Sequence, residues 1–319
     1  MNLKNPYLVP ELAAIAAMLP RFDLNDIETA REVERQAVAA FPPYEPPTPL
    51  AIEDVTIPGY GDAPDVVARL YRPALAGNLP VVIGLHGGGW ALGNVETLDA
   101  QSRLIASKAQ VAVVNVDYRL APEHPYPAAL EDAYSALAWV GGAGCALHGF
   151  RTDRIGVWGE SAGGGLAAAV TMLARDSGGP AIAAQFLVAP TTDDRLSTES
   201  MRELTATPLW QAANSPIAWR NYLAGTGKPG SPSIPVYAAV GRATRKDLAD
   251  LPSAYLTVFE VDPTRDEGLN YGIELVRAGV PTEIHHYSGA FHIAHVIPGT
   301  KIGERIMQDT VSAFRRLLR

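Results

Sequence analysis

From residue 50 onward, short apolar runs alternate with segments long enough to be helices, and this alternation limits the fold more than any other feature of the chain. The runs are "AIEDVTIP", "DVVARLYRP", "PVVIGLH", "VAVVNVDY", "IGVWG", "IAAQFLVA", "AYLTVFEV" and "TEIHHYS". Helices are predicted from Pro127 to Val140, from Ala162 to Ala174 and from Glu267 to Ala278, with a last one ending in "VSAFRRLLR". Continuous apolar runs suit strands buried on both faces, and parallel neighbours need a crossover helix between them. The chain therefore reads as an α/β protein with a mostly parallel, doubly wound sheet.

Two stretches stand outside this rhythm. Helical segments at about Pro10 to Leu19 and Asn25 to Ala39 precede the first strand, followed by "FPPYEPPTP" (41–49), whose prolines favour an extended strap. Residues 192–235 hold several prolines, Trp210 and Trp219, and helical pieces such as "ESMRELTA" and "PIAWRNYL", but no strand pattern. The expected organisation is N-terminal helices over 1–45, a core over 46–191 and 236–319, and an insertion over 192–235 that joins the N-terminal helices as a cap.

Composition excludes some partners. The 319 residues suit one large α/β domain with an excursion. The formal charge of −8 and the lack of a basic run argue against nucleic acid or an anionic membrane as the main partner. Cys145 is the single cysteine, so there is no intrachain disulfide and no cysteine-based metal site, and a reducing compartment fits. The opening "MNLKNPYLVPELAAIAAML" is a poor signal peptide and reads as a short amphipathic helix. No run approaches the roughly 20 apolar residues of a membrane span. A soluble, cytoplasmic protein is expected.

Ligands of open parallel sheets bind beyond the carboxyl ends of the strands, and the residues there carry the chemistry. "VVIGL" is followed by His86-Gly87-Gly88-Gly89-Trp90, "IGVW" by Gly159-Glu160-Ser161-Ala162-Gly163, "AYLTVFEV" by Asp262, and "TEIHHYS" by Gly289-Ala290-Phe291-His292. The G-x-S-x-G turn between strand and helix suits a serine nucleophile: the flanking glycines permit a strained bend that pushes the hydroxyl outward. A lone hydroxyl is a poor nucleophile and needs a base. The three glycines after His86 allow backbone amides to approach a substrate oxygen, so Gly88, Gly89 and Ala162 are the expected oxyanion donors, with Gly87 shaping the turn.

Among seven histidines, His292 is the expected base, because it follows its strand in a loop of small residues and completes the chain order serine, acid, histidine. His86, His124 and His148 lie outside that order. His285 and His286 fall within a strand and are expected to be buried, and His295 to join the next helical turn. Asp262 is preferred as the acid over Asp266 and Glu267, which look like residues of a helix N-terminus. Its role is to hold His292 in the right tautomer. Gly163 to Ala168 match the dinucleotide pattern G-x-G-x-x-A, but inside a helix already begun, so no nucleotide site is expected. His285, His286, His292 and His295 lack the spacing of a helical zinc motif. Neither metal nor cofactor is expected.

With "HGGGW", "YRLAPEHPYPAALED", "GESAGG", "DPTRDEG" and "GAFH" in this order, the chain resembles the hormone-sensitive-lipase-like esterases, a bacterial-rich branch of the α/β-hydrolase fold. The resemblance places the triad on Ser161, Asp262 and His292 and the oxyanion donors on Gly88, Gly89 and Ala162. It implies a cap built from N-terminal helices and an insertion after the sixth core strand, a bracing role for Arg119 and Glu123, and a homodimer through the last sheet edge. The chain departs from the family pattern at Glu160 (commonly Asp or Thr), Thr264 (usually Leu) and Ile293-Ala294 (usually Gly-Phe). The expected function is hydrolysis of short- to medium-chain acyl esters, small molecules, through an acyl-enzyme. Trp90, Leu209, Trp210 and Trp219 are candidates for the substrate pocket. Two rivals are an amidase or specialised-ester hydrolase with the same triad, and a non-catalytic small-molecule receptor, against which the presence of His292 argues.

Overall fold

The computed structural model describes residues 7–41 and 44–319. Its centre is one eight-stranded sheet in the order β1-β2-β4-β3-β5-β6-β7-β8. The strands are β1 Leu50–Ile57, β2 Val66–Pro73, β3 Leu79–Leu85, β4 Ala112–Val116, β5 Phe150–Glu160, β6 Ala184–Val188, β7 Ser253–Val261 and β8 Thr282–Phe291. The β1/β2 and β2/β4 pairs are antiparallel; all others are parallel. The expected mostly parallel α/β fold is thus present.

Burial explains why the runs become these strands. All five residues of β4 and of β6 are buried, whereas the edge strand β1 is half-buried or exposed up to its last residue, the buried Ile57. Side chains of the central strands part by period two. Leu256 and Val258 of β7 enter one core with Leu166, Val170 and Leu275, while Tyr255 and Phe259 enter the other with Ile306, Val311 and Phe314.

The helices are α1 Pro10–Ala16, α2 Ile27–Ala40, α3 Asp99–Ile105, α4 Ala128–Gly141, α5 Ala143–His148, α6 Ala162–Ser177, α7 Glu199–Glu203, α8 Ser215–Tyr222, α9 Arg245–Leu248, α10 Arg265–Arg277 and α11 Lys301–Leu317. The first core takes α4, α6 and α10, and the second takes α3 and α11. No helix among the described residues is long and apolar enough to cross a membrane. Helices α3, α5 and α9 were not expected; all three are short, and α5 carries glycine within it, so none leaves a long amphipathic pattern to read. Pro42 and Pro43 of the proline strap, and Met1 to Pro6 of the opening segment, lie outside the described residues.

Two contacts fasten the N-terminal helices. Glu11 accepts from the first amides of α11, Lys301 N at 3.0 Å and Ile302 N at 2.8 Å. Arg31 of α2 donates to Ala91 O at 2.9 Å and pairs with Glu123, whose carboxyl is lowered to about 2 by that guanidinium. Between β6 and β7 the chain carries α7, α8 and α9 without a strand, and it too touches the N-terminal segment. Asn214 accepts from Leu24 N at 3.2 Å and donates to Phe22 O at 2.8 Å.

That excursion returns to the sheet over a buried ion pair. Asp194 is fully covered and meets Arg242 through two bonds of 2.6 and 2.8 Å. Removing one member of such a pair strands the other charge without water. Arg242→Ala is expected to lower unfolding free energy by about 3–5 kcal/mol in urea titrations. A loss below about 1 kcal/mol would contradict the role given to the pair.

Candidate functional site

Ser161 sits at the junction of β5 and α6 with φ 55° and ψ −118°, a conformation seldom adopted by a residue with a side chain. The bend is possible only because neighbouring backbones nearly touch. A Cβ on Gly159 would lie 2.0 Å from Gly163 O, and one on Gly163 would lie 2.1 Å from Leu85 O. Ser161 N donates to Val188 O at 2.8 Å, and Ser161 O accepts from Thr191 N at 2.9 Å and Gly165 N at 3.1 Å. The strand beside it and the loop after that strand therefore pin the bend on both sides.

His292 follows β8 directly, because the strand runs to Phe291 and not only to Ser288 as the apolar pattern suggested. Its Nε2 is 2.9 Å from Ser161 Oγ and its Nδ1 is 2.7 Å from Asp262 Oδ2. Asp262 is completely buried, and its second oxygen accepts from Thr264 N at 2.8 Å and Thr264 Oγ1 at 2.9 Å. Thr264, which stood out in the sequence only as a departure from leucine, thus contributes a hydroxyl to the acid. An ionised carboxylate needs such donors to remain charged away from water.

The glycine loop lies across from this chain of bonds. Gly88 (φ 109°) and Gly89 (φ 62°) have backbone angles that disfavour side chains, and the space is closed as well. A Cβ on Gly88 would meet Leu92 O at 2.4 Å, and one on Gly89 would meet the Trp210 ring at 2.7 Å. Among the described residues, neither amide donates a hydrogen bond within the chain. Ala162 opens α6, where amides have no partner inside the helix. His86 stacks on Tyr118 with ring centroids 4.1 Å apart, and complete burial pushes it down to about 4, so it stays neutral.

These groups open into a cavity of about 990 Å³ lined by Gly87, Gly88, Ser161, His292, Leu209 and Trp210, together with N-terminal residues such as Leu19 and Phe22. Trp90 and Trp219 do not line it. They are buried at 2% and 1% exposure in an aromatic stack with Tyr222, at 4.3 Å from Trp90 and 6.0 Å from Trp219, so their expected place in the pocket is corrected to the core. His285 and His286 are also corrected: the first is half-buried and the second exposed, because β8 is the edge of the sheet. No metal-binding cluster of histidine, cysteine or carboxylate occurs among the described residues.

One contact had no signal in the sequence. His295, on the single turn after His292, places Nε2 at 2.8 Å from Glu160 Oε1, and both side chains are buried on the cavity wall. Pairing needs both segments in place, and 135 positions separate the two residues.

An apolar strand, a kinked serine and a parallel sheet of this order define an α/β hydrolase, and the sequence pattern of the family described by the alpha/beta hydrolase fold matches residues 82–296. The chain is 41% identical over 284 residues to carboxylesterase NlhH of Mycobacterium tuberculosis, covering 86% of this chain and 85% of that one. Esterase LipI of the same organism is 39% identical over 292 residues, covering 91% and 88%. Among solved structures, a bacterial heroin esterase superposes with a TM-score of 0.93 at 39% identity, covering 98% of each chain. The chain belongs to the hormone-sensitive-lipase-like carboxylesterases of this fold, and it is a carboxylic ester hydrolase by class.

Glu267 offers a test of the electrostatics around the acid. It is buried, with one oxygen accepting from Thr192 N at 2.9 Å and the other unpartnered. Burial, aided by the nearby carboxylates of Asp193 and Asp262, raises its pKa well above the usual value. An acid with a raised pKa binds more protons folded than unfolded, so stability falls as pH climbs past the unfolded value near 4.3. Glu267→Gln removes this loss and is expected to gain on the wild type as pH goes from about 4 to 8 in thermal melts. An unchanged difference at the two pH values would contradict a protonated Glu267.

Proposed function

We propose that the protein hydrolyses short- to medium-chain acyl esters with Ser161 as nucleophile, His292 as general base and acid, and Asp262 as the orienting carboxylate. The observation that carries this is His292, whose two ring nitrogens bridge Ser161 Oγ and Asp262 Oδ2 at 2.9 and 2.7 Å. His292 Nε2 takes the hydroxyl proton as Ser161 Oγ bonds to the ester carbonyl carbon. The carbonyl oxygen becomes an anion facing the amides of Gly88, Gly89 and Ala162, each worth about 2.7–4 kcal/mol if it behaves as such donors do elsewhere.

The imidazolium then gives its proton to the departing alkoxide, and the carbon–oxygen bond to the alcohol breaks, leaving an acyl-Ser161 ester. Water loses a proton to the same nitrogen and attacks the acyl carbon. As the second tetrahedral intermediate collapses, the bond from the acyl carbon to Ser161 Oγ breaks, the imidazolium of His292 returns its proton to Oγ, and the carboxylic acid leaves. Asp262 supports the imidazolium throughout and is itself held in place by Thr264.

The N-terminal helices and residues 192–235 act as the cap over this centre. Support comes from the Asn214 contacts to Phe22 and Leu24, and from cavity walls drawn from both segments. Trp210 fixes the length of the acyl arm. Its Nε1 donates to Ser215 Oγ at 3.0 Å, its edge abuts Gly89, and its ring lies 6.3 Å from that of His292.

With p-nitrophenyl butyrate, Ser161→Ala is expected to lower kcat by roughly 10,000-fold or more. Wild-type turnover in that variant would refute the assignment. Trp210→Ala is expected to move the optimum of a p-nitrophenyl ester series toward longer chains, by the added volume beside Gly89. An unmoved optimum would remove Trp210 from the acyl site.

A further inference from the structure

The reacting groups come from strands that do not touch. Serine follows β5 and histidine follows β8, with β6 and β7 between them, so no backbone ladder aligns the two turns. Alignment must come from contacts across the strand ends. The Ser161–His292 bond is itself the reacting contact and has to break and re-form during turnover. Beside it lies a second bond of the same span, between Glu160, one residue before the serine, and His295, three residues after the base. The two bonds and the short chain segments joining their ends form a closed ring.

The base turn needs such a tie. Ile293, directly after His292, has φ 48° and ψ 34°, left-handed values that a β-branched residue takes only where its surroundings force them. His295 is 7% exposed, stacks on Phe259 with centroids 6.1 Å apart, and leaves Nδ1 without a partner. Its Nε2 is thus its one polar anchor, and that anchor is Glu160.

We propose that the Glu160–His295 bond holds the strained base turn against the nucleophile bend, which makes both residues positioning residues for ester hydrolysis. The proposal rests on the assignment of Ser161 and His292 as the reacting pair. Neither residue exchanges a proton with substrate. The bond keeps Nε2 of His292 in line with Ser161 Oγ while that contact is broken by attack and restored by deacylation. It also engages the Glu160 carboxylate, the nearest charged side chain in sequence to the serine, so that it does not compete for the ring of His292.

The test compares three substitutions of one side chain in the full-length protein, with kcat and KM on p-nitrophenyl butyrate and a thermal melt for each. His295→Phe keeps the ring and loses the donor; His295→Asn keeps a polar amide too short to reach Glu160; His295→Gln can place an N–H near the position of Nε2. The Phe and Asn variants are expected to lose about tenfold or more in kcat with KM changed less than about twofold, as befits reacting atoms slightly out of line. His295→Gln is expected to recover kcat to within about threefold of wild type. If His295→Phe does not fold, the Asn and Gln variants decide alone, since they differ in reach and not in polarity. Equal loss in Gln and Asn, or wild-type kcat in Asn or Phe, would overturn the proposal. If the wild type itself were inert toward the ester, or Ser161→Ala as active as wild type, the hydrolytic assignment would fall instead, so the two failures are told apart.

Discussion

The serine at the end of β5 can stand where it does only because no side chain occupies the positions two residues before and after it. With about 2 Å separating a would-be Cβ of Gly159 from Gly163 O, the polypeptide at that bend is as close to itself as covalent geometry permits. Left-handed backbone at a residue with a side chain costs on the order of 1–3 kcal/mol. Hydrogen bonds from Ser161 N to Val188 O and from Thr191 N to Ser161 O offset part of this by anchoring the bend to β6 and its loop. Everything that acts at the site is placed relative to that one fixed hydroxyl.

From there the sheet does the positioning. The carboxyl ends of β3, β5, β7 and β8 supply the glycine loop, the serine, the carboxylate and the imidazole in turn. Each group is then held by a hydrogen bond: Gly88 O by Leu92 N, Asp262 by Thr264, and His292 by Asp262. Residues of the N-terminal segment and of the strandless excursion both line the apolar cavity, and Asn214 ties the excursion to the stretch between α1 and α2. Apolar walls with a few convergent polar atoms suit an uncharged ester and strengthen the electrostatics of the intermediate.

The strand runs, the mostly parallel core and the candidates Ser161, Asp262 and His292 were legible in the sequence, because period, glycine placement and chain order are local or topological signals; the order of the strands in the sheet was not. What was not legible depends on where side chains land after folding. Trp90 and Trp219 looked like pocket residues by type, yet stacking with Tyr222 draws them into the core, whereas Leu209 and Trp210 face the cavity. His285 and His286 looked buried because they sit in a strand, and only the edge position of β8 exposes them. Thr264 and Glu160 registered as departures from a family pattern. Thr264 bonds Asp262 only two positions away, through a loop shape the sequence does not spell out, whereas Glu160 meets His295 only when distant strand ends are brought together.

The most direct measurement of the central claim is the site and rate of phosphonylation by a fluorophosphonate, followed by peptide mass spectrometry in the wild type and in His292→Asn. A serine poised by its imidazole should take one label on the peptide containing Ser161, and the label should all but disappear when the imidazole is removed. Labelling at another serine, or an undiminished rate in His292→Asn, would contradict the account.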